Sequence, residues 1–65
     1  MSKLRELRKR VGITAVELAE KSGVKERTIR SYELGQRDIK KMSLENAIKL
    51  AKVLDCKAEE LVEQD

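Results

Sequence analysis

Several residue types that stabilise or interrupt small proteins are missing or rare in this sequence. Its 65 residues include no histidine, no proline and a single cysteine. One cysteine cannot form an internal disulfide, and the usual zinc sites that combine cysteine with histidine are excluded. A chain of about 60 residues buries only about 60% of its unfolded surface. Stability must therefore come from efficient helix packing, which the abundant Leu, Ala, Glu, Lys and Arg favour.

Long apolar segments are missing as well. No stretch approaches the roughly 18 consecutive apolar residues of a membrane-spanning helix, and the first residues lack the apolar core of a signal peptide. We therefore expect a cytoplasmic protein with no membrane partner, and a lone cysteine fits a reducing compartment. No alternating strand pattern, internal repeat or long linker is present, so we expect one all-α domain over residues 1–65.

Positive charge is concentrated in the first part of the chain. Residues 1–41 hold 12 Lys and Arg against 6 Asp and Glu, a balance of +6. Residues 42–65 hold 3 against 6, a balance of −3. This asymmetry indicates that the basic part meets a polyanion such as nucleic acid, although an ordinary solvated surface would also explain it.

Apolar spacing and capping residues predict five short helices. The residues that form the apolar face of the first helix and its two caps are Leu4, Leu7, Val11, Ser2 and Gly12. Thr14 and Glu17 form a capping box at the start of the second helix. That helix ends after only two turns at Gly23, and the third covers about 25–34 and stops at Gly35.

The second half of the chain predicts two further helices. Residues 36–42 form a basic connection without a clear period, and Ser43 is the N-cap of a fourth helix. The apolar face predicted for that helix consists of Leu44, Ala47, Ile48, Ala51 and Leu54. The last helix runs from Ala58 to about Gln64, and Cys56 before it acts as a small core residue.

Residues 14–34 have the pattern of a helix-turn-helix. The small side chain of Ala19 allows two helices to cross closely, at the angle of about 90–120° that is typical of this motif. Gly23 permits a positive φ in the turn, while Ile29 and Tyr32 point inward. The polar residues left for the outer face of the third helix are Lys25, Glu26, Arg27, Thr28, Arg30 and Ser31.

At these residues the sequence resembles the Cro and phage-repressor helix-turn-helix regulators, the XRE type. The matching segments are Leu4–Arg8, Glu17–Val24, Thr28–Gly35 and Leu50–Leu54. The resemblance implies a compact five-helix, lambda-repressor-like domain that binds double-stranded operator DNA. It also implies a homodimer on a near-palindromic site, because one domain covers only a half-site. Nothing in the sequence indicates a cofactor, a metal or a small-molecule substrate.

The resemblance also implies a set of DNA contacts. The base-reading positions correspond to Glu26, Arg27 and Ser31, where the Arg27 fork matches guanine and Glu26 either accepts from cytosine or holds Arg27. The residues expected at bases or phosphates are Lys25, Thr28 and Arg30. The residues expected at phosphates are Thr14, Arg37, Lys40 and Lys41.

A structural ion pair between Arg8 and Glu33 is implied too, and it would orient the third helix. The sequence departs from the family pattern in three places. Ala15 replaces a common phosphate-binding glutamine, Lys25 replaces a common Ser or Thr N-cap, and the connection after Gly35 is longer than in many relatives.

Two functions remain open for this fold, and a third class is set aside. The first is a sequence-specific DNA-binding regulator, a repressor of bacterial or phage origin. The alternative is a protein-interaction module, antitoxin-like or bridging, that uses the acidic second half with Leu61 and Val62 near the surface. We expect no enzyme, because the sequence has no histidine, metal cluster or phosphate-binding glycine loop, and its cysteine has no base partner.

Overall fold

The structure is a computed structural model that describes residues 2–62. Its α-helices are α1 (Lys3–Val11), α2 (Ala15–Ser22), α3 (Glu26–Glu33), α4 (Leu44–Leu54) and α5 (Ala58–Val62). A 3₁₀ turn, Ile39–Lys41, lies between α3 and α4. The predicted all-α, five-helix fold is confirmed. The predicted end of the last helix at Gln64 lies outside the described residues. Within residues 2–62, no helix is long and apolar enough to cross a membrane.

Side-chain caps start most of the helices where the sequence predicts them. The hydroxyls of Ser2 and Ser43 each accept a hydrogen bond from the backbone N–H three residues later in the chain, that of Arg5 and that of Asn46. At α2 both halves of the capping box are present, because the Thr14 hydroxyl accepts from the Glu17 amide and the Glu17 carboxylate accepts from the Thr14 amide. Lys25 is the N-cap of α3 and provides no side-chain cap. That helix therefore starts without the stabilisation of about 1 kcal/mol that a Ser or Thr cap gives.

Gly23 forms the turn between α2 and α3. Its φ is 81°, and its backbone N–H donates to the carbonyl of Ala19 at 2.9 Å. The next amide, of Val24, donates to the Ser22 hydroxyl at 3.1 Å. Because a left-handed backbone costs a residue with a side chain about 1–2 kcal/mol, glycine is the residue that suits this turn.

One hydrophobic core is shared by all five helices. Its buried members are Leu4, Leu7, Ala15, Leu18, Val24, Ile29, Tyr32, Ile39, Met42, Ala47, Leu50, Ala51, Leu54 and Leu61. Helix α2 packs on both α3 and α4, and α1 contacts α3, α4 and α5. Tyr32 and Ile29 are buried as predicted, and Ala19 is partly buried against the core. The inner face of α3 is therefore committed to packing.

Some predicted apolar faces are wrong in detail. Val11 is 41% exposed, and on α4 Leu44 and Ile48 are 72% and 41% exposed, whereas Leu50 is fully buried. The predicted and the observed stripe on α4 share Ala47, Ala51 and Leu54, which are all buried. The packed stripe includes Leu50 in place of Leu44 and Ile48, because the helices that pack opposite decide which side of α4 is buried.

The connection between α3 and α4 is more ordered than the sequence predicts. It contains the 3₁₀ turn. Asp38 is the N-cap of this turn, and its carboxylate accepts a hydrogen bond from the Lys40 N–H at 3.0 Å. Ile39 and Met42 are buried in the core, and the turn packs against α5. Two apolar residues three apart in a basic stretch are too weak a period to predict this. The connection therefore contributes to the core.

The C-terminal residues are also more buried than predicted for a contact surface. Leu61 is fully buried and Val62 is half-buried, so the apolar surface expected for a protein partner is largely missing there. Cys56 is half-buried against the core, and this burial is the main reason that the pKa of its thiol is raised.

A hydrogen-bonded ion pair joins α1 to the end of α3. Arg8 Nε lies 2.7 Å from Glu33 Oε2, and Arg8 Nη2 lies 2.9 Å from Glu33 Oε1. The third contact of the guanidinium, from Nη1, is to the carbonyl of Ile13 at 3.0 Å. The side chains of Arg8 and Glu33 are only 14% and 8% exposed. The bonds to Glu33 raise the pKa of Arg8, whereas burial acts in the opposite direction.

We expect Arg8→Ala to lower the free energy of unfolding by about 3 kcal/mol, because it leaves the Glu33 carboxylate nearly buried without its partner. For a chain of this size the melting temperature should fall by roughly 12 °C or more. Thermal unfolding of Arg8→Ala, Glu33→Ala and the double variant measures the coupling between the two residues. An unchanged melting temperature in Arg8→Ala would contradict a structural role for the pair.

Ile39→Ala should destabilise the protein by about 2–5 kcal/mol, because Ile39 is only 1% exposed and its removal leaves a cavity. The matched control is Leu44→Ala, which removes a side chain that is 72% exposed and should change stability by no more than about 0.5 kcal/mol. Urea unfolding compares the two variants. Equal effects would mean that the connection does not belong to the core.

Candidate nucleic-acid interface

Helix α3 has one buried face and one polar outer face. A helix turns by about 100° per residue, so Arg27 and Ser31 each lie about 160° from the fully buried Ile29. Arg27 is exposed and Ser31 is half-buried. Arg30 and Thr28 lie on the two flanks of this outer face, about 100° from Ile29. The centre of the outer face is therefore Arg27 with Ser31.

The hydroxyl of Ser31 already has a hydrogen-bond acceptor within the helix. Its Oγ donates to the backbone carbonyl of Arg27 at 2.9 Å. A serine hydroxyl has one donor hydrogen and two acceptor lone pairs. Ser31 therefore presents acceptors to an external group while this bond is made.

Glu26 contacts Arg30 rather than Arg27. The distance from Arg30 Nε to Glu26 Oε2 is 2.5 Å, across one turn of α3. Both side chains are well exposed, at 57% for Arg30 and 40% for Glu26, so the pair contributes at most about 1 kcal/mol to stability. Its structural effect is to hold the Arg30 guanidinium along the flank of the helix. This differs from the expectation that Glu26 holds Arg27.

The start of α2 offers a mixed environment for a phosphate. The backbone N–H of Thr14 is bonded to the Glu17 carboxylate at 2.9 Å, and this bond is the main cause of the lowered pKa of Glu17. The Thr14 hydroxyl uses a lone pair to accept from the Glu17 amide, so its own hydrogen can still donate. The amides of Ala15 and Val16 belong to the first turn, where helices have no internal acceptor. A phosphate would meet these donors beside the Glu17 charge.

The connection after α3 contains three of the residues that are predicted to contact DNA phosphates. The amides of Gln36 and Arg37 donate to the carbonyl of Ser31 at 2.9 and 3.2 Å, which ties the start of the connection to the end of α3. Arg37 is exposed, and so are Lys40 and Lys41 in the 3₁₀ turn. Lys25, at the other end of α3, is exposed as well. The cations predicted to contact DNA are thus all accessible to solvent.

A cleft between α1 and α3 brings Arg5 into the same lining as Arg8 and Arg30. The cleft has a volume of about 210 Å³. Its lining residues are Arg5, Arg8, Arg30, Glu33 and Leu34. The spacing of Arg5 and Arg8 places them on one side of α1, but only the fold shows that Arg30 joins them.

The comparison with protein-family profiles identifies the family of the chain. The profile of the Helix-turn-helix family matches residues 4–61, which is nearly the whole chain and includes α2, the Gly23 turn and α3. Neither the comparison with curated proteins nor that with solved structures gave a match. Because the match covers far more than half of the sequence, the chain belongs to the XRE-type Helix-turn-helix family, a family of DNA-binding regulators.

Proposed function

We propose that this protein is a sequence-specific transcriptional repressor that places α3 in the DNA major groove. The observation that carries the proposal is the arrangement of α3: Ile29 and Tyr32 are buried on one face, while Arg27 lies on the opposite, exposed face. The groove is about 12 Å wide and admits a helix. A helix held rigidly from behind and polar in front has the form that groove reading requires.

Arg27 and Ser31 are the proposed base-reading residues. The two forked N–H groups of Arg27 match O6 and N7 of guanine. Ser31, whose hydroxyl hydrogen is bonded to the Arg27 carbonyl, accepts from the amino group of adenine or cytosine. Glu26 acts through Arg30 and holds that guanidinium in place. Thr28, half-buried on the other flank, contacts the sugar or phosphate at the edge of the groove.

Residues at both ends of α3 and at the start of α2 are proposed to contact the backbone. The proposed phosphate contacts are Thr14 with the amides behind it, Lys25, Arg37, Lys40 and Lys41. These contacts provide affinity and fix the register, whereas the outer face of α3 provides sequence preference. Arg8→Ala should weaken binding as well as stability, because α3 would lose its fixed direction relative to these anchors.

Repression would follow from occupancy of a promoter by two copies of the domain. One domain covers only a half-site, so we propose a homodimer on a near-palindromic operator, in the cytoplasm of a bacterial cell. The protein-interaction alternative has its contact surface at Leu61 and Val62, but Leu61 is buried in the core and Val62 is half-buried.

The proposed function is tested by selection of sites from random duplex DNA, followed by binding measurements at two salt concentrations. We expect an enriched, near-palindromic site. We also expect affinity to fall steeply with salt, by a slope of about 0.9 in log K per log salt for each phosphate neutralised. Failure to bind any duplex at low salt would contradict DNA binding. Enrichment of a non-palindromic site would contradict the proposed homodimer but not DNA binding.

Arg27→Ala should weaken binding to the selected site by about 1–3 kcal/mol and relax the preference at one base position, because it removes a bidentate base contact. Fluorescence anisotropy with the selected duplex and with a scrambled duplex measures both effects. Lys52→Ala is the control, because Lys52 is an exposed cation on α4, outside the proposed interface. An equal loss on both duplexes in Arg27→Ala would assign Arg27 to the backbone.

A further inference from the structure

We propose that Leu44 and Ile48 form the contact between two copies of this domain on one operator, an inference that rests on the proposed DNA-binding function. The two side chains lie one turn apart on the same side of α4 and form what we call the α4 patch. Leu44 is the most exposed large apolar side chain among residues 2–62, and Ile48 is exposed as well. The other exposed ones are distributed over α1, α2 and the end of α3. Apolar side chains scattered singly over a surface are ordinary, whereas adjacent ones form a patch that a partner can cover.

The dimensions of the domain favour a second copy as the occupant of the α4 patch. Its Cα atoms span 25 × 22 × 22 Å. Side chains add about 3 Å on each side, since a helix has a Cα radius of about 2.3 Å and a full diameter of about 10–12 Å. Half-sites on the same face of a duplex lie about 34 Å apart. Two copies on adjacent half-sites therefore approach within a few ångströms, and protruding side chains such as Leu44 can close this gap.

The α4 patch begins beside the surface that is proposed to face DNA. Lys40 and Lys41, which are proposed phosphate contacts, belong to the 3₁₀ turn, and Leu44 follows that turn after Met42 and the Ser43 cap. Helix α4 packs mainly on α1, α2 and α5. A contact on its exposed side therefore lies close to the duplex and leaves the outer face of α3 free for the groove.

Two-fold symmetry suits the polar residues at the edge of the α4 patch. A palindromic operator relates the two copies by a two-fold axis, and such an interface joins the same surface of both copies. Antiparallel packing of α4 on its counterpart places Leu44 against the partner's Ile48 and Glu45 near the partner's Lys49. Within one copy, Lys49 Nζ lies 3.2 Å from Glu45 Oε1. In the pair, each carboxylate therefore has a cation on both helices, so the polar edge attracts the second copy.

The size of the patch limits the strength of this contact. Two side chains per copy do not bury the roughly 1,200–2,000 Å² of a stable protein interface. The free protein is therefore a monomer, and pairing occurs where DNA holds two copies side by side at a high effective concentration. The result is cooperative binding. The first copy raises the affinity for the second by about tenfold, within the usual range for coupled sites.

The first experiment measures cooperativity on three duplexes. These are the selected site, a single half-site, and the selected site with about 5 base pairs inserted between its halves, which places the two copies on opposite faces. Native gel titrations resolve complexes with one and two copies and give both binding constants. For the wild-type protein we expect about tenfold cooperativity on the selected site and none after the insertion. Leu44→Ser should abolish the cooperativity and leave the half-site affinity unchanged.

The matched control for the gel titrations is Val11→Ser. Val11 is as exposed as Ile48 but lies on α1, outside the α4 patch, so this variant should keep the full cooperativity. Melting curves check that both variants are folded, and Leu44→Ala replaces Leu44→Ser if the serine variant does not fold. Unchanged cooperativity in the Leu44 variant, or an equal loss in Val11→Ser, overturns the proposal. So does absence of cooperativity in the wild-type protein.

The second experiment needs no DNA and therefore separates this proposal from the proposed function. NMR spectra of the ¹⁵N-labelled protein, recorded from micromolar to millimolar concentrations, detect weak self-association. We expect the amide signals of Leu44, Glu45 and Ile48 to shift with concentration, and Leu44→Ser to remove these shifts while Val11→Ser keeps them. If the wild-type protein binds no DNA, the proposed function fails. The concentration dependence then decides on the α4 patch by itself, and its absence overturns the self-contact.

Discussion

The ion pair between Arg8 and Glu33 determines how the domain presents α3. The same guanidinium also binds the carbonyl of Ile13, so it connects α1, the start of the helix-turn-helix and the last turn of α3. Two nearly buried charges are tolerated only because each satisfies the other, and the two parallel bonds of the fork restrict their relative orientation. At its other end α3 is held by the tight turn at Gly23. The outer face of the helix is therefore fixed at both ends before any ligand arrives.

The constraint on α3 separates residues that pack from residues that contact a ligand. Ile29 and Tyr32 close the inner face against α1 and α2, and Glu33 at the end of the helix faces Arg8. Arg27 and Ser31 are therefore available for contacts outside the domain. Glu26 and Arg30 occupy one flank and bind each other. In a DNA complex the flank would then follow the groove edge, where phosphates lie, and the centre would face the bases.

Features that depend on neighbouring residues in the chain could be predicted from the sequence, whereas features that depend on packing between helices could not. Caps at Ser2, Thr14 and Ser43 involve residues three apart, and their sequence signals correctly placed the helix starts. The choice between Leu50 and Ile48 for the core of α4 depends on what packs opposite, so periodicity alone selected Ile48, although Ala47, Ala51 and Leu54 of the predicted face are buried as expected. The burial of Ile39 was missed for the same reason. Within the candidate site, the α3 outer face follows from local spacing, whereas the meeting of Arg5 with Arg30 depends on how α1 and α3 pack.

The positive charge of residues 1–41 is concentrated on one side of the domain by the hydrogen bonds that its acidic residues make. At long range the net charge of +3 matters, with its excess of +6 on residues 1–41, and it attracts any polyanion. At contact distance the positions of the carboxylates matter more. Glu17 and Asp38 are bonded to backbone amides, and Glu33 faces Arg8 inside the domain. Because Glu33 is turned toward the protein and Glu26 is bonded to Arg30, the groups left to face a ligand around α3 are mainly cations and hydroxyls. A modest net charge can therefore produce a locally cationic surface on one side of a very small protein.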